Sequence, residues 1–167
     1  VEDIIFFLKN TKPKKISILG AGSNTLIRDG GVKGITIKLS SKFSYLNFAS
    51  PNIIETGAAT LDKKIADFAL EHSLTGLEFL SCIPGSIGGA IRMNSGCYNE
   101  DISHILHSIK VIDITGQVRE IKASDIKFQY RGSNLDDKLI ITSVKLQGRA
   151  STKEKIKKKQ AILVEKK

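Results

Sequence analysis

Between Ile83 and Ala90 the chain reads Ile-Pro-Gly-Ser-Ile-Gly-Gly-Ala, which puts three glycines within five residues among apolar neighbours. A glycine held in ordered structure costs roughly 0.5–1 kcal/mol relative to alanine. A folded chain keeps such a cluster where something must come close to its backbone. Two things can do so: another segment of the chain, at a glycine-lined helix crossing or turn, or a flat or anionic ligand. In the second case Ser86 and the amides beside it are the donors, and Asn94-Ser95-Gly96 repeats the small, polar theme a few residues later.

A second glycine loop lies near the start. Ile16 to Leu19 is a short apolar run that reads as a buried strand, and it feeds Gly20-Ala21-Gly22-Ser23-Asn24. This is not the G-x-G-x-x-G dinucleotide fingerprint, because position 25 is threonine and no glycine follows until Gly30. Successive amides of small residues can still form a nest suited to a pyrophosphate, with Ser23 and Asn24 adding side-chain donors. A tight connection needing positive φ explains the same residues. Further on, Phe128-Gln129-Tyr130-Arg131-Gly132-Ser133 sets one arginine beside an aromatic ring, where a forked cation can meet a carboxylate, a developing oxyanion or a structural acid.

Around these stretches the pattern is mixed. Ile4, Ile5 and Leu8 have helical spacing, and Lys12-Pro13-Lys14-Lys15 breaks that helix. Strands are expected at Ile35–Leu39, Ile53–Thr56 and Leu139–Leu146. Ile109–Ile112 and Val118–Ile121 form a hairpin about Thr115-Gly116, and Ser40 to Asn52 reads as a polar region. Leu61, Ile65, Phe68 and Ala69 mark an amphipathic helix, and Ser151-x-x-Glu154 reads as the capping box of a lysine-rich one. Helices and strands without regular alternation favour α+β over a doubly wound sheet.

The net charge of +9 invites a nucleic-acid reading, but +5 of it lies in residues 152–167, and no tryptophan and only three tyrosines are present to stack bases. A solvated lysine face is the expectation. His104 and His107 stand at i, i+3 with no third ligand spaced nearby, which predicts an exposed pair and no metal site. Cys82 and Cys97 each adjoin a glycine motif, read as small reduced thiols or, alternatively, as a redox pair or covalent cofactor link. No run reaches the ~18 apolar residues of a membrane span, and two cysteines fit a cytoplasmic chain.

Taken in order, three stretches resemble the UDP-N-acetylenolpyruvoylglucosamine reductase (MurB) family of bacterial peptidoglycan synthesis. They are Leu19 to Leu26 with Asp29 to Gly34, Gly76 to Ala90 with Met93 to Tyr98, and Tyr130-Arg131-Gly132-Ser133. The resemblance implies an α+β, two-lobed FAD-binding fold of the vanillyl-alcohol oxidase (PCMH) type, with lobes over residues 1–40 and 41–150 and the lysine-rich helix at 151–167. It implies cofactor contacts from Gly20, Ala21, Gly22, Ser23, Asn24, Ile83, Pro84, Gly85, Ser86, Gly88, Gly89, Asn94, Ser95 and Gly96. It further implies NADPH as hydride donor and UDP-N-acetylglucosamine enolpyruvate as substrate, reduced to UDP-N-acetylmuramate, with Arg131 stabilising the charge that develops beside the substrate carboxylate. A monomer without nucleic-acid or membrane partners is expected.

The departures are Cys82 where the family has glycine, Cys97 where alanine is common and Asn99 where glycine is common; asparagine tolerates the left-handed region. The family's serine proton donor and its glutamate come from a later substrate-binding domain. The expectation is therefore a FAD-binding portion, clipped ahead of Val1, that does not complete catalysis alone. A flavin oxidase or dehydrogenase of the same fold acting on another small molecule is the alternative, and a basic nucleic-acid binder a more distant one.

Overall fold

The structure, a computed structural model, describes residues 1–11, 13 and 15–165. Lys12 and Lys14 of the expected helix break, and Lys166 and Lys167 of the lysine-rich helix, lie outside the described residues. Helix α1 (Glu2–Thr11) is followed by β1 (Ile16–Leu19) and β2 (Ile35–Lys38), which pair in parallel from Ile16↔Ile35 to Leu19↔Lys38. The long connection between them, Gly20 to Gly34, carries no strand or helix and is exposed through residues 21–34. Leu8 of α1 is buried with Ile112 and Ile140, and Ile4, Ile5, Ile16 and Ile37 close over that small core. The helical spacing seen in the sequence therefore meets the β1–β2 pair on one side and the larger sheet on the other.

That larger sheet is five-stranded and antiparallel throughout. It runs β3 (Leu46–Ser50), β4 (Ile53–Gly57), then the strands Ile140–Gln147, Leu106–Ile112 and Val118–Lys122. Ile140–Gln147 is central and nearly all buried, which is why its run of β-branched residues shows no polar alternation. The expected hairpin about Thr115-Gly116 is present, and Gly116 turns at φ +83° beneath α1, where an added Cβ would lie 3.2 Å from the Ile5 methyl. One expectation needs correction: the polar region Ser40–Asn52 contains strand β3. It sits at the sheet edge with only Leu46 half-buried, so the strand leaves no inward-facing apolar pattern.

Helix α2 (Asp62–Glu71) buries Ile65, Ala66 and Ala69 against the sheet, together with Leu77, Phe79 and Leu80 of the turn that follows. Helix α3 (Ile87–Arg92) occupies the glycine block, and α4 (Lys153–Glu165) runs back over α2 and the Glu78–Cys82 turn. At the start of α4 the Thr152 hydroxyl accepts the Lys155 amide at 3.4 Å, so the capping hydrogen bond falls on Thr152 and not on Ser151 as the spacing suggested. Lys159 of α4 binds Glu78 at 3.2 Å and Glu100 at 2.8 Å. Glu78 is 1% exposed and also accepts the Thr75 hydroxyl and the Gly76 amide. Burial pushes its pKa up, but the hydrogen bonds from Thr75 and Gly76 and the Lys159 charge outweigh it and hold the carboxyl below its ordinary value.

Candidate flavin site

Two cavities flank α3. The first, about 770 Å³, is walled by Gly20 and Ala21 of the first loop, Ala59 and Leu61 ahead of α2, and Ser86, Gly88, Gly89 and Arg92 of the glycine block, with Ile18, Leu39 and Ile141 giving it apolar surface. The second, about 560 Å³, lies past the C-terminal end of α3 and is lined by Asn94, Gly96, Tyr98, Glu100, Tyr130 and Arg131, among others.

The first loop has spare donors. The amides of Gly20, Ala21, Gly22, Ser23 and Asn24 reach no acceptor among the described residues. Backbone N–H groups are obligatory donors, and five in succession without a protein acceptor are open to water or to an anion. Gly22 turns at φ +87° with nothing within 4 Å of an added Cβ, whereas Gly20 is pressed so closely that a Cβ would sit 2.9 Å from the Ser86 hydroxyl. The loop is fastened to the opposite wall by Ser23, whose hydroxyl donates to the Pro84 carbonyl at 2.6 Å.

The glycine block divides between the two readings its sequence leaves open. The Ile87 amide donates to the Thr60 carbonyl, Gly88 to Ala58, and Gly89 to Ser86. These three amides, possible ligand donors on one of the two readings of the block, are consumed inside the protein, while those of Gly85 and Ser86 reach no acceptor among the described residues. Gly88 has the structural reason open to it in the sequence: its added Cβ would meet the Ala58 carbonyl oxygen at 3.0 Å, so it permits close packing of α3 on the β4–α2 connection. Gly89 does not share that reason, with nothing within 4 Å and its open side on the cavity. What the block offers the cavity is the Ser86 side chain, the bare face at Gly89 and the buried Ile87 and Ile91 that hold α3 in place.

Strain gathers at the second cavity. Of the non-glycine residues with left-handed φ, Asn94 (41°), Tyr98 (53°), Asn99 (65°) and Arg131 (59°) all line it. Tyr98-Asn99 are the two apex residues of a hairpin pairing Gly96↔Asp101 and Cys97↔Glu100, an arrangement whose favoured turn demands φ > 0 at both. Such outliers persist where surrounding structure over-determines them, and they cluster at functional sites. The Asn94 amide donates to Asp101 at 3.2 Å and its carbonyl accepts Ser103 N at 3.1 Å, which fixes the cavity floor.

The structure thus brings Gly20, Ala21, Ser86, Gly88 and Gly89 to the first cavity, and Asn94, Gly96 and Arg131 to the second. Ser23, Pro84 and Gly85 form the seam between loop and block. Gly22, Asn24, Ile83 and Ser95 line neither cavity; Ser95 exchanges backbone bonds with Ala90 and Ile102. Arg131 enters no ion pair among the described residues and lies 5.6 Å from the centroid of the 89% exposed Tyr130 ring. The arginine with structural duties is Arg92, which sequence reasoning passed over. It donates to the carbonyls of Leu135, Asp136 and Leu139, ties that loop to α3, and has no local sequence signal because its partners lie more than forty residues away. Cys82 is buried, the Cys97 thiol donates to the Phe79 carbonyl, and no group of three metal-ligating side chains occurs among the described residues.

An open amide loop after a parallel strand, facing a small-residue helix across an apolar cavity, defines a nucleotide-binding module, and the chain belongs to the FAD binding domain family, whose model matches residues 1–122. Within that class it is similar to the UDP-N-acetylenolpyruvoylglucosamine reductases. It is 46% identical to that of Pelagibacter ubique (strain HTCC1062) over 99% of this chain and 55% of that protein, and 41% identical to that of Wolbachia sp. subsp. Brugia malayi (strain TRS) over 93% and 53%. The crystal structure of the Thermus caldophilus enzyme (MurB) superposes with a TM-score of 0.85 at 30% identity, over 95% of this chain and 57% of that one. The chain spans about half the length of the curated relatives it matches. The Cu,Mo-CO dehydrogenase in its cyanide-inactivated form shares the fold, with a TM-score of 0.64 at 13% identity over 90% of this chain and 57% of that one. The α+β, two-lobed FAD-binding fold expected from the motifs is the one found.

The residues present fit FAD. Five unclaimed amides suit a diphosphate, and a cavity of about 770 Å³ falls in the usual range for a bound cofactor. The side-chain-free face at Gly89, with Leu61 and Ile141 nearby, suits a flat ring system.

Proposed function

We propose that this chain is the FAD-holding portion of a UDP-N-acetylenolpyruvoylglucosamine reductase, with the diphosphate on Gly20–Asn24 and the flavin against the Ser86–Gly89 wall. The observation that carries the reading is the run of five amides without acceptors among the described residues, a run that starts at Gly20 and Ala21 in the wall of the first cavity. When bound, FAD supplies hydride transfer from NADPH to the enolpyruvyl carbon of UDP-N-acetylglucosamine enolpyruvate. The chain's own residues orient and screen. Ser23 pins the first loop to Pro84 so that its amides keep one direction, and Arg92 anchors the far wall through three carbonyls. Arg131, held left-handed at the second cavity and engaged by no carboxylate among the described residues, presents its fork to the substrate carboxylate and to the negative charge that grows beside it during reduction. The reading places the reaction in the cytoplasm, where nucleotide sugar and NADPH meet. No helix among the described residues is long and apolar enough to cross a membrane.

The test is turnover of the full-length protein with UDP-N-acetylglucosamine enolpyruvate and NADPH. Arg131→Lys should lower kcat by about 10²–10³-fold while the flavin spectrum stays unchanged, because an ammonium keeps the charge and loses the fork. Full activity in Arg131→Lys would remove Arg131 from the reaction. Inactivity of the unaltered protein on this substrate, with oxidation of an alcohol instead, would give the site to the oxidase alternative.

A further inference from the structure

Asp62 is the first residue of α2, is 0% exposed, and neither of its carboxyl oxygens has a hydrogen-bond partner among the described residues. It stands behind the seam that joins the first loop to the glycine block. Its own amide donates to the Gly85 carbonyl at 3.1 Å. A Cβ built on Gly85 would lie 3.3 Å from one Asp62 carboxyl oxygen and 3.2 Å from the Ser23 hydroxyl, so carboxyl and loop face each other across one missing side chain.

The charges around it do not compensate for its burial. The Gly20–Asn24 loop and the Ile83–Ser86 turn carry no titratable side chain. On α2 itself Lys63 is paired with Asp67 at 2.7 Å and Lys64 is exposed. From the elements packed on α2, Lys159 of α4 is held by Glu78 and Glu100. The helix N-terminus favours an ionised carboxylate, but this effect is weaker than burial without a partner. Burial alone pushes the group up to about 7.

We propose that Asp62 serves the flavin-nucleotide site as a neutral carboxylic acid, so that binding of the anionic cofactor is coupled to uptake of a proton at this side chain. The inference rests on the reading that the diphosphate lies on Gly20–Asn24. A diphosphate brought to that loop places negative charge across the Gly85 gap from Asp62, whose own carboxyl is buried away from water, and the like charge further disfavours its ionised form. The proton removes the repulsion and converts an acceptor without donors into an O–H donor on the seam's buried side. The bound-state pKa then exceeds the free-state one. Affinity is therefore fully present below about 7 and falls as pH rises above it, by up to tenfold per unit.

The full-length chain titrated with FAD, followed by flavin fluorescence, should show Kd rising about 30-fold between roughly pH 6 and pH 8.5. Asp62→Asn, which imitates the neutral acid, should bind tightly at both with no slope. Calorimetry of the unaltered protein near pH 8 in two buffers of different ionisation heat should find close to one proton taken up per FAD, and it decides the matter should Asp62→Asn not fold. A Kd independent of pH, an unchanged slope in Asp62→Asn, or no proton uptake would overturn the proposal. No FAD binding at either pH would instead overturn the site reading beneath it.

Discussion

The Gly20–Asn24 loop and the Pro84–Gly89 segment meet across one seam, and both are rich in glycine, yet the chain itself claims their backbones to different extents. In the loop no amide reaches an acceptor among the described residues, and the positive φ of Gly22 faces open space. In the segment the amides of Ile87, Gly88 and Gly89 are spent on Thr60, Ala58 and Ser86, and Gly88 lies against the Ala58 backbone; only those of Gly85 and Ser86 reach no acceptor among the described residues. Glycine density alone therefore does not say whether a ligand or the chain itself comes close. What separates the two is where the N–H groups go and whether a Cβ would meet protein or empty space. Gly89 is the informative exception, a glycine of the packed segment with the open surroundings of the loop.

Four substitutions can break or sharpen that contrast. The largest effect belongs to Gly96→Ala, where the new Cβ would fall 2.4 Å from the Glu100 carbonyl oxygen and 2.5 Å from the Asp101 Cβ. The hairpin must open, at about 3 kcal/mol or more, and the melting temperature should fall by roughly 6–12 °C. An unshifted melting curve would mean that close chain approach is not what this glycine serves.

Next comes Glu78→Gln, which leaves Lys159 with half its partners and weakens a buried acceptor of the Thr75 hydroxyl and Gly76 amide; about 2–3 kcal/mol should be lost. Because the folded-state pKa of Glu78 is depressed, its contribution is present above the ordinary carboxylate value and is lost as pH falls through the folded value. Unfolding of the unaltered chain should thus steepen below about pH 4.5 and that of Glu78→Gln should flatten. Equal acid sensitivity of the two would count against the tie.

Gly89→Ala should act in two directions. With nothing near the added methyl, helix propensity should stabilise the cofactor-free protein by about 0.5–1 kcal/mol, while FAD affinity drops about tenfold or more because the methyl enters the cavity. Unimpaired FAD binding would remove the flavin from this wall. The smallest change is expected from Asn99→Gly. Asparagine already tolerates φ 65°, so stability should move by no more than about 0.5 kcal/mol; a larger gain would show the turn to be strained.

Much of this architecture is legible in the chain because local and tertiary demands agree. The β-branched run at 140–147 is central and buried, and Ile65 and Ala69 point inward as their spacing requires. The reading fails where non-local contacts decide. Two adjacent glycines argue against a helix at 87–92, yet buried Ile87 and Ile91 and the carbonyls of Ala58 and Thr60 hold one there. Nothing in its sequence neighbourhood marks Asp62 for burial, and the Gly85 backbone that lies against it comes from a turn more than twenty residues away. Tyr98 in a left-handed turn has no signature at all, since its neighbour Asn99 alone suits that conformation.

The most direct measurement follows backbone amides by 15N–1H NMR as FAD is added. The amide resonances of Gly20 through Asn24 should shift strongly and gain protection from solvent exchange, while those of Ile87 and Gly88, already bonded to Thr60 and Ala58, stay protected throughout. Perturbations confined to Asn94–Arg131 around the second cavity, with the Gly20–Asn24 amides still exchanging freely, would contradict the account.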